Sequence, residues 1–207
     1  AAAHQRLCVI VDGGAQDILL GPFASAGDEG KVAGLLEKLG DEATARAYAL
    51  VVKGFMRSGR TGAATHWLLE MQKKNFEVPS RAVVELCKAA VAQGTVVETF
   101  DALMANRVHL PLECVSPLLT DCAQREDFQT AGRIERLARD NGMNLTHASF
   151  ESLLKLHAKA EGNYAVNLFE EMQRHGFTVS EGLCGCVLAK CAESQNLRLA
   201  EHVAGHL

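Results

Sequence analysis

Cysteine and histidine, two side chains that commonly bind transition metals, cluster near the carboxyl end of the sequence. Cys184 and Cys186 are two residues apart with Cys191 nearby, and His202 and His206 are four apart. Zinc prefers thiolate and imidazole ligands, and the histidine spacing places two imidazoles on one helix face. On a helix that buries Cys184 and Cys191, however, Cys186 points about 200° away from Cys184. The histidine pair lacks a third ligand, so we predict buried structural cysteines, no metal site and no cofactor.

Catalytic motifs with a defined spacing are missing from the sequence. It contains no G-x-S-x-G, no H-E-x-x-H and no phosphate-binding loop. His157 stands alone at a position whose equivalents along the chain are apolar. That placement is typical of a core histidine with one hydrogen-bonded nitrogen rather than of a catalytic base. We therefore predict that the chain is not an enzyme.

A stripe of arginines is the clearest cluster of one charge. Arg133, Arg136 and Arg139 follow a three-residue spacing, which places them along one side of a helix. Such a stripe is a candidate contact for an acidic partner or for phosphates. Glu135 and Asp140 lie among the arginines, so a solvated helix face that pairs its own charges is the alternative interpretation.

Composition sets limits on what the chain binds. The 207 residues carry a formal charge of -4, so any contact with nucleic acid needs a local basic patch. No segment approaches the 18 or so consecutive apolar residues of a membrane span. Seven cysteines, an odd number, scattered through the chain favour a reducing compartment over a disulfide framework.

The elements that would position these residues are helices. From Tyr48 to Phe55 the apolar residues recur at i, i+3, i+4 and i+7, and the same spacing returns from Ala64 to Met71 after the breaker Ser58-Gly59. This predicts one helical hairpin of about 35 residues, which has more apolar surface than it can bury alone. The pattern recurs along the chain, so we predict an all-α fold of about five stacked hairpins. The repeats start near residues 45, 80, 112, 147 and 181, and a half repeat at 30–43 precedes them.

The first 29 residues differ from the rest, and we expect them to form an extended arm and a loop. The run from Leu7 to Val11 has the composition of a short strand, but no glycine-rich phosphate loop follows it, which disfavours a nucleotide-binding strand. Gly21-Pro22 and the Gly/Ala/Ser-rich stretch to Gly30 predict a loop. Residues 30–207 then form the repeat domain.

Two of the hairpins carry a recognisable pattern. The stretches YALVVKGFMRSGRTGAATHWLLEMQKKNF at 48–76 and SFESLLKLHAKAEGNYAVNLFEEMQRHGF at 149–177 resemble the pentatricopeptide repeat family, with LFEEM at 168–172 and Gly176 as the second-helix signature. The resemblance implies a right-handed α-solenoid whose first helices line a concave surface. It also implies binding of single-stranded RNA, one base per repeat, in a plastid or mitochondrion.

The resemblance also assigns positions for recognising bases. The residues there are Ala49, Val84, Ser116, Glu151 and Gly185 in the first helices and Ser80, Pro111, Thr146 and Ser180 at the repeat ends. The positions that sandwich each base hold Arg46, Arg81, Glu113, Ala148 and Gly182. Alanine, valine and glycine side chains cannot hydrogen-bond a base edge, so selection of bases is expected to be poor.

Two functions follow from this pattern. The first is a non-catalytic scaffold or adaptor, an accessory subunit of a larger organellar protein or ribonucleoprotein complex. The last helix, which carries Val203 and Ala204, reaches Leu207 without a polar cap, so a partner or further residues are expected to cover it. The alternative is a module that binds single-stranded RNA. The candidate RNA or partner contacts are Arg46, Ala49, Lys53, Arg57, Ser80, Arg81, Ser116, Thr146 and Lys159.

Overall fold

A computed structural model describes residues 13–160 and 162–205, with side chains described from residue 19 onwards. These residues form twelve α-helices and one 3₁₀ turn, Gly40–Glu42, and no strand occurs among them. The helices are α1 Gly13–Ser25, α2 Glu29–Leu39, α3 Ala45–Arg57, α4 Thr61–Lys73, α5 Ser80–Gln93, α6 Val96–Ala105, α7 Leu112–Arg125, α8 Phe128–Asp140, α9 His147–His157, α10 Tyr164–Arg174, α11 Glu181–Ser194 and α12 Leu197–Ala204. The run Leu7–Val11 and the terminal residues His206 and Leu207 lie outside the described part of the chain.

The helices pair into hairpins, which group into two compact units. The first unit ends at His109 and contains α1 to α6, and the second begins at Leu110 and contains α7 to α12. In the first unit α3 packs against α1 and α5, and α4 packs against α6; in the second, α9 packs against α7 and α11, and α10 packs against α12. Each unit therefore has two layers. The first-helix layer comprises α1, α3 and α5 in the first unit and α7, α9 and α11 in the second, and the remaining helices form the second-helix layer.

Polar caps fix where several of these helices begin. The Thr44 side chain accepts a hydrogen bond from the Ala47 backbone N–H at 3.1 Å, and Asp127 accepts one from Thr130 at 2.9 Å. These side chains satisfy backbone donors that lack a partner in the first turn. Gly94 ends α5 with a φ of 69°, a conformation that only glycine adopts without strain.

The apolar positions found by spacing form the core of each unit. The first-helix positions are buried in α3, α5 and α7, as are Phe150, Leu153 and Leu154 in α9. The same holds for Ala165, Leu168, Phe169 and Met172 in α10. The exceptions among the described residues are half-buried or exposed. Half-buried are Leu35, Trp67, Ala102, His157, Leu188 and Ala200, and exposed is Ala204. The all-α prediction is confirmed, because burial follows the helical period along the described chain.

The prediction of a loop at residues 21–30 is wrong for residues 21–25, which are helical. Gly21 and Pro22 lie inside α1, and Leu20 and Ala24 on that helix are completely buried. The physical reason is packing between α1 and α3. Gly54 on α3 brings the two backbones so close that a β-carbon there would lie 2.4 Å from the Ala24 β-carbon. Burial of α1 against α3 outweighs its local helix breakers, so α2 has a partner and the first hairpin is complete rather than half a repeat.

None of the helices in the described residues has the length and apolar composition needed to cross a lipid bilayer.

Candidate functional site

Three basic side chains follow one face of α3. Arg46, Lys53 and Arg57 are spaced by seven and four residues and are all exposed. They border a groove of about 390 Å³ between α1 and α3. The groove is lined by Gly21, Pro22 and Ser25 of α1 and by Arg46, Leu50, Lys53, Gly54 and Arg57 of α3. The close approach at Gly54 thus brings all three cations to the edge of one groove.

The charge on α3 is uncompensated. The helix contains no aspartate or glutamate. Arg46, Lys53 and Arg57 form no ion pair with any residue that the structure describes. No described side chain that lines the groove is acidic, and such an arrangement attracts anions such as phosphates.

The neighbouring helix α5 repeats two of these charges. Arg81 and Lys88 occupy the positions one repeat after Arg46 and Lys53, and both are exposed. Arg81 donates through Nε to Glu85 Oε1 at 3.1 Å, an exposed pair that contributes little to stability. The three first helices of this unit together carry five lysines and arginines but only two carboxylates, Asp17 and Glu85.

In the corresponding layer of the second unit, two lysines are paired with carboxylates of the same chain. Lys155 Nζ lies 3.2 Å from Glu151, and Lys159 Nζ lies 3.1 Å from Glu126 and 3.2 Å from Glu193. These hydrogen bonds raise the pKa of Lys159 above its ordinary value. The three first helices here carry five carboxylates against three basic residues. Lys159, predicted as an RNA or partner contact, is instead held between two carboxylates of its own chain.

Two of the positions expected to recognise bases serve as helix caps. The Thr146 hydroxyl accepts a hydrogen bond from the Ser149 N–H at 3.2 Å, and Ser180 does the same for Leu183 at 3.2 Å. Ser80 is exposed at the first residue of α5. The type of residue found at Thr146 and Ser180 is therefore explained by capping.

The other predicted positions add little polar chemistry. Ala49 and Val84 are half-buried and offer only apolar surface. Ser116 is half-buried on α7, where its backbone carbonyl accepts a hydrogen bond from Thr120 at 2.9 Å. The structure therefore brings together the charged members of the predicted set on α3 and α5, but not an array of base-selecting polar groups.

One arginine of the stripe on α8 is hydrogen-bonded to carboxylates of the same chain. Arg139 donates through Nε to Glu135 at 2.8 Å and through Nη1 and Nη2 to the two carboxylate oxygens of Glu171 at 2.8 and 2.9 Å. These hydrogen bonds lower the pKa of Glu171. Arg139 thus links α8 to α10. Arg133 and Arg136 remain exposed on the same helix.

The second unit contains a polar cluster that the sequence pattern does not predict. The Glu135 carboxylate is buried, and the Tyr164 hydroxyl donates to it through a short hydrogen bond. The His157 ring lies edge-on to Phe128 and to Tyr164, with centroids 5.4 and 4.6 Å away. Burial lowers the pKa of His157, and its Nε2 is buried without a hydrogen-bond partner. Since Glu135 and Tyr164 are 29 residues apart, only the stacking of the hairpins brings them together.

This cluster borders a cavity of about 430 Å³, which is lined by Gly132, Glu135, Arg136, Arg139, Asp140, His157 and Tyr164. The two oxygens of the Glu135 carboxylate accept hydrogen bonds from Arg139 and Tyr164, so its orientation is fixed. The lining mixes carboxylates with guanidinium groups, so it does not select an anion or a cation by charge.

Most cysteines in the part of the chain that the structure describes are buried. Cys184 and Cys191 are buried, and burial raises the pKa of each thiol, whereas Cys186 is half-buried. Among the described residues no three of His, Cys, Asp and Glu come close enough together to bind a metal ion. His206 lies outside those residues, so the prediction that His202 and His206 bind no metal stays a prediction.

Comparison with known proteins identifies the fold. No family model matches the sequence, and no curated protein does. The structure is similar to that of nuclear proteinaceous RNase P 2 (PRORP2) from A. thaliana, with a TM-score of 0.57 and 14% identity over 84% of this chain and 41% of that one. It is also similar to the pentatricopeptide repeat protein PPR10 from maize, with a TM-score of 0.53 and 14% identity over 92% of this chain and 28% of that one.

A second structure of the maize protein, in complex with an 18-nt psaJ RNA element, matches with a TM-score of 0.49. The chain spans less than half the length of each of these solved proteins. The first two similarities show that the chain has the helical-repeat fold of pentatricopeptide repeat proteins, as the sequence predicts.

Proposed function

We propose that the chain is a non-catalytic module that binds single-stranded RNA through the first-helix layer of its first unit. The observation that carries the proposal is the set Arg46, Lys53 and Arg57, three exposed cations on a helix without acidic residues, none of them paired within the described chain. Neutralising phosphates supplies most of the affinity of sequence-independent RNA binding. The groove beside these residues supports the proposal, because it leaves room for a nucleotide against α1.

Fluorescence anisotropy with an unstructured RNA of about ten nucleotides tests the proposal. The wild type is expected to bind measurably at low salt, and the triple alanine variant of Arg46, Lys53 and Arg57 should bind at least about tenfold more weakly. A matched control replaces three exposed lysines of the second-helix layer, Lys38, Lys73 and Lys74, with alanine and removes the same charge. RNA binding that is absent in the wild type, or that both triple variants reduce equally, would contradict the proposal.

A scaffold or adaptor role is the second candidate function, and the second unit favours it. There Arg125, Lys155 and Lys159 are held in internal ion pairs, and carboxylates outnumber lysines and arginines on the first helices, which suits a protein partner better than RNA. In this proposal the chain is an accessory subunit of a larger organellar assembly, in a plastid or mitochondrion, whose other subunits contact the second unit.

Co-purification with and without ribonuclease tests the scaffold role. Partner proteins that stay bound after ribonuclease treatment are the expected result. If every partner is released by ribonuclease, RNA alone holds the complex together and the scaffold role fails.

A further inference from the structure

We infer that RNA crosses α3 and α5 in a shallow channel with cationic edges and an apolar floor, and is therefore held without regard to its sequence. The inference rests on the proposed RNA-binding function. It goes further by naming the path of the strand, its short footprint and the absence of base selection.

The edges of the channel are two rows of like charges. Arg46 on α3 and Arg81 on α5 form one row, and Lys53 and Lys88 form the other. Within each helix the two cations are separated by about 10 Å along the axis. Packed helices such as α3 and α5 have axes about 9 Å apart. The four charges therefore outline a patch that covers only a few nucleotides.

The floor between the two rows offers no hydrogen-bonding side chain apart from Glu85. Ala49 and Leu50 on α3 and Val84 on α5 are half-buried, so their exposed parts form apolar surface. Glu85 is already hydrogen-bonded to Arg81. Bases differ in the hydrogen-bond donors and acceptors on their edges, and apolar side chains cannot form hydrogen bonds with them. Bases resting on this floor bury apolar area of similar size whatever their identity.

The groove between α1 and α3 extends the channel beyond α3. Its volume of about 390 Å³ falls in the range of sites that enclose small molecules. Leu50 lines it together with Arg46, Lys53 and Arg57, so the floor and the edges continue into it. One nucleotide of the strand can therefore lie in the groove while its neighbours cross α3 and α5.

The rows do not recur in the second unit. On α7 the equivalent positions hold Glu113 and Thr120, and on α9 they hold Ala148 and Lys155. Lys155 is the one cation among these four, and it is paired with Glu151. The second unit consequently lacks both edges of the channel, so the first unit alone binds the strand.

The dependence of affinity on salt and on sequence tests this path. Four or five phosphate contacts predict that log K falls with log[salt] with a slope of about -3 for the wild type. The double variants R46A/R81A and K53A/K88A each remove two contacts and should flatten the slope by about 1.4. Oligomers of U, C and A of about ten nucleotides should bind with Kd values within about threefold of each other.

Two control variants, a test of folding and a competitor separate the outcomes. The charge-conserving variant K53R/K88R should keep the wild-type slope, and K155A/K190A, on α9 and α11, should leave both slope and affinity unchanged. Thermal melts followed by circular dichroism show whether each variant is folded. A polyglutamate competitor distinguishes RNA from any polyanion and is expected to displace RNA poorly.

Some results would overturn the path yet leave RNA binding in place. These are a preference of more than about tenfold for one oligomer, or a flatter slope in K155A/K190A. Displacement by polyglutamate as effective as by RNA would show a general polyanion surface, and the channel would fail. If the wild type binds no RNA at all, the proposed function itself fails.

Discussion

The replacement Gly54→Ala tests the contact that shapes the groove. Gly54 lies on α3 where α1 crosses it, and an added β-carbon would lie 2.4 Å from the Ala24 β-carbon, 2.9 Å from the Ser25 backbone nitrogen and 3.0 Å from the Gly21 carbonyl oxygen. Two of these neighbours are backbone atoms, which cannot rotate away. The added methyl group can therefore be accommodated only if α1 moves away from α3.

The magnitude follows from two opposing effects. Overpacking costs about 1–3 kcal/mol, and because backbone must shift here we expect a cost of about 2–3 kcal/mol. Alanine in place of glycine within a helix returns about 1 kcal/mol because it loses less backbone entropy. We expect a net destabilisation of about 1–2 kcal/mol, which lowers the melting temperature by roughly 2–8 °C in a chain of this size.

Gly132→Ala is the matched control. Gly132 lies inside α8, and an added β-carbon would meet no atom within 4 Å. Only the entropy term applies there, so this variant should be more stable than the wild type by about 0.5–1 kcal/mol. Thermal unfolding followed by circular dichroism measures both changes, and hydrogen exchange should show faster exchange of the α1 amides in Gly54→Ala only.

The double variant A24G/G54A separates the side-chain contact from the backbone contacts. Removing the Ala24 β-carbon relieves the shortest of the three distances but not the other two, so rescue should be partial. If Gly54→Ala proves neutral, or stabilises as much as Gly132→Ala, then α1 does not pack on α3 as described. The groove that borders Arg46, Lys53 and Arg57 would then lose its α1 wall.

Three further predictions concern the second unit. Arg139→Ala should destabilise it by about 2–3 kcal/mol in urea unfolding, because the Glu135 carboxylate, whose side chain is only 7% exposed, loses its cation; Arg136→Ala on the same helix is the control. Asn196→Ala should cost about 1–2 kcal/mol and speed exchange of the α12 amides, since this buried side chain caps α12 and donates to two backbone carbonyls. Burial holds the pKa of His157 below its usual 6.5, so the unfolded chain binds that proton more readily and stability falls as pH drops from about 7 to 5. His157→Gln should flatten this pH dependence in melts, and an unchanged slope would contradict it.

Much of the fold follows from the sequence because burial has a simple period. Each first helix presents apolar residues at i, i+3, i+4 and i+7, and positions such as Val51 and Phe55 are completely buried. Helix α1 breaks the rule, since Gly21 and Pro22 disfavour a helix when considered alone. Its formation depends on the contact with Gly54, about 30 residues away, and a local pattern does not contain that information.

The sequence predicts the candidate site only in part, for a related reason. The sequence identifies Arg46, Lys53, Arg139 and Lys159 equally well as basic residues on helices. It does not show which of them are neutralised. Arg139 reaches Glu171 at a separation of 32 residues, and Lys159 reaches Glu126 at 33. Because these partners lie one repeat away, the charge balance is decided by how neighbouring hairpins stack.

The same stacking geometry determines which charges of the first unit lie next to each other. Residues one repeat apart on adjacent first helices are neighbours in space, as the bonded pair Lys159 and Glu126 shows in the second unit. In the first unit, by contrast, arginine follows arginine at 46 and 81, and lysine follows lysine at 53 and 88. Placing like charges side by side lowers stability, whereas in the second unit Lys159 lies between Glu126 and Glu193 and forms ion pairs with both. Stability therefore does not account for the rows on α3 and α5. The proposed binding of a chain of phosphates would account for them, because it would offset their mutual repulsion.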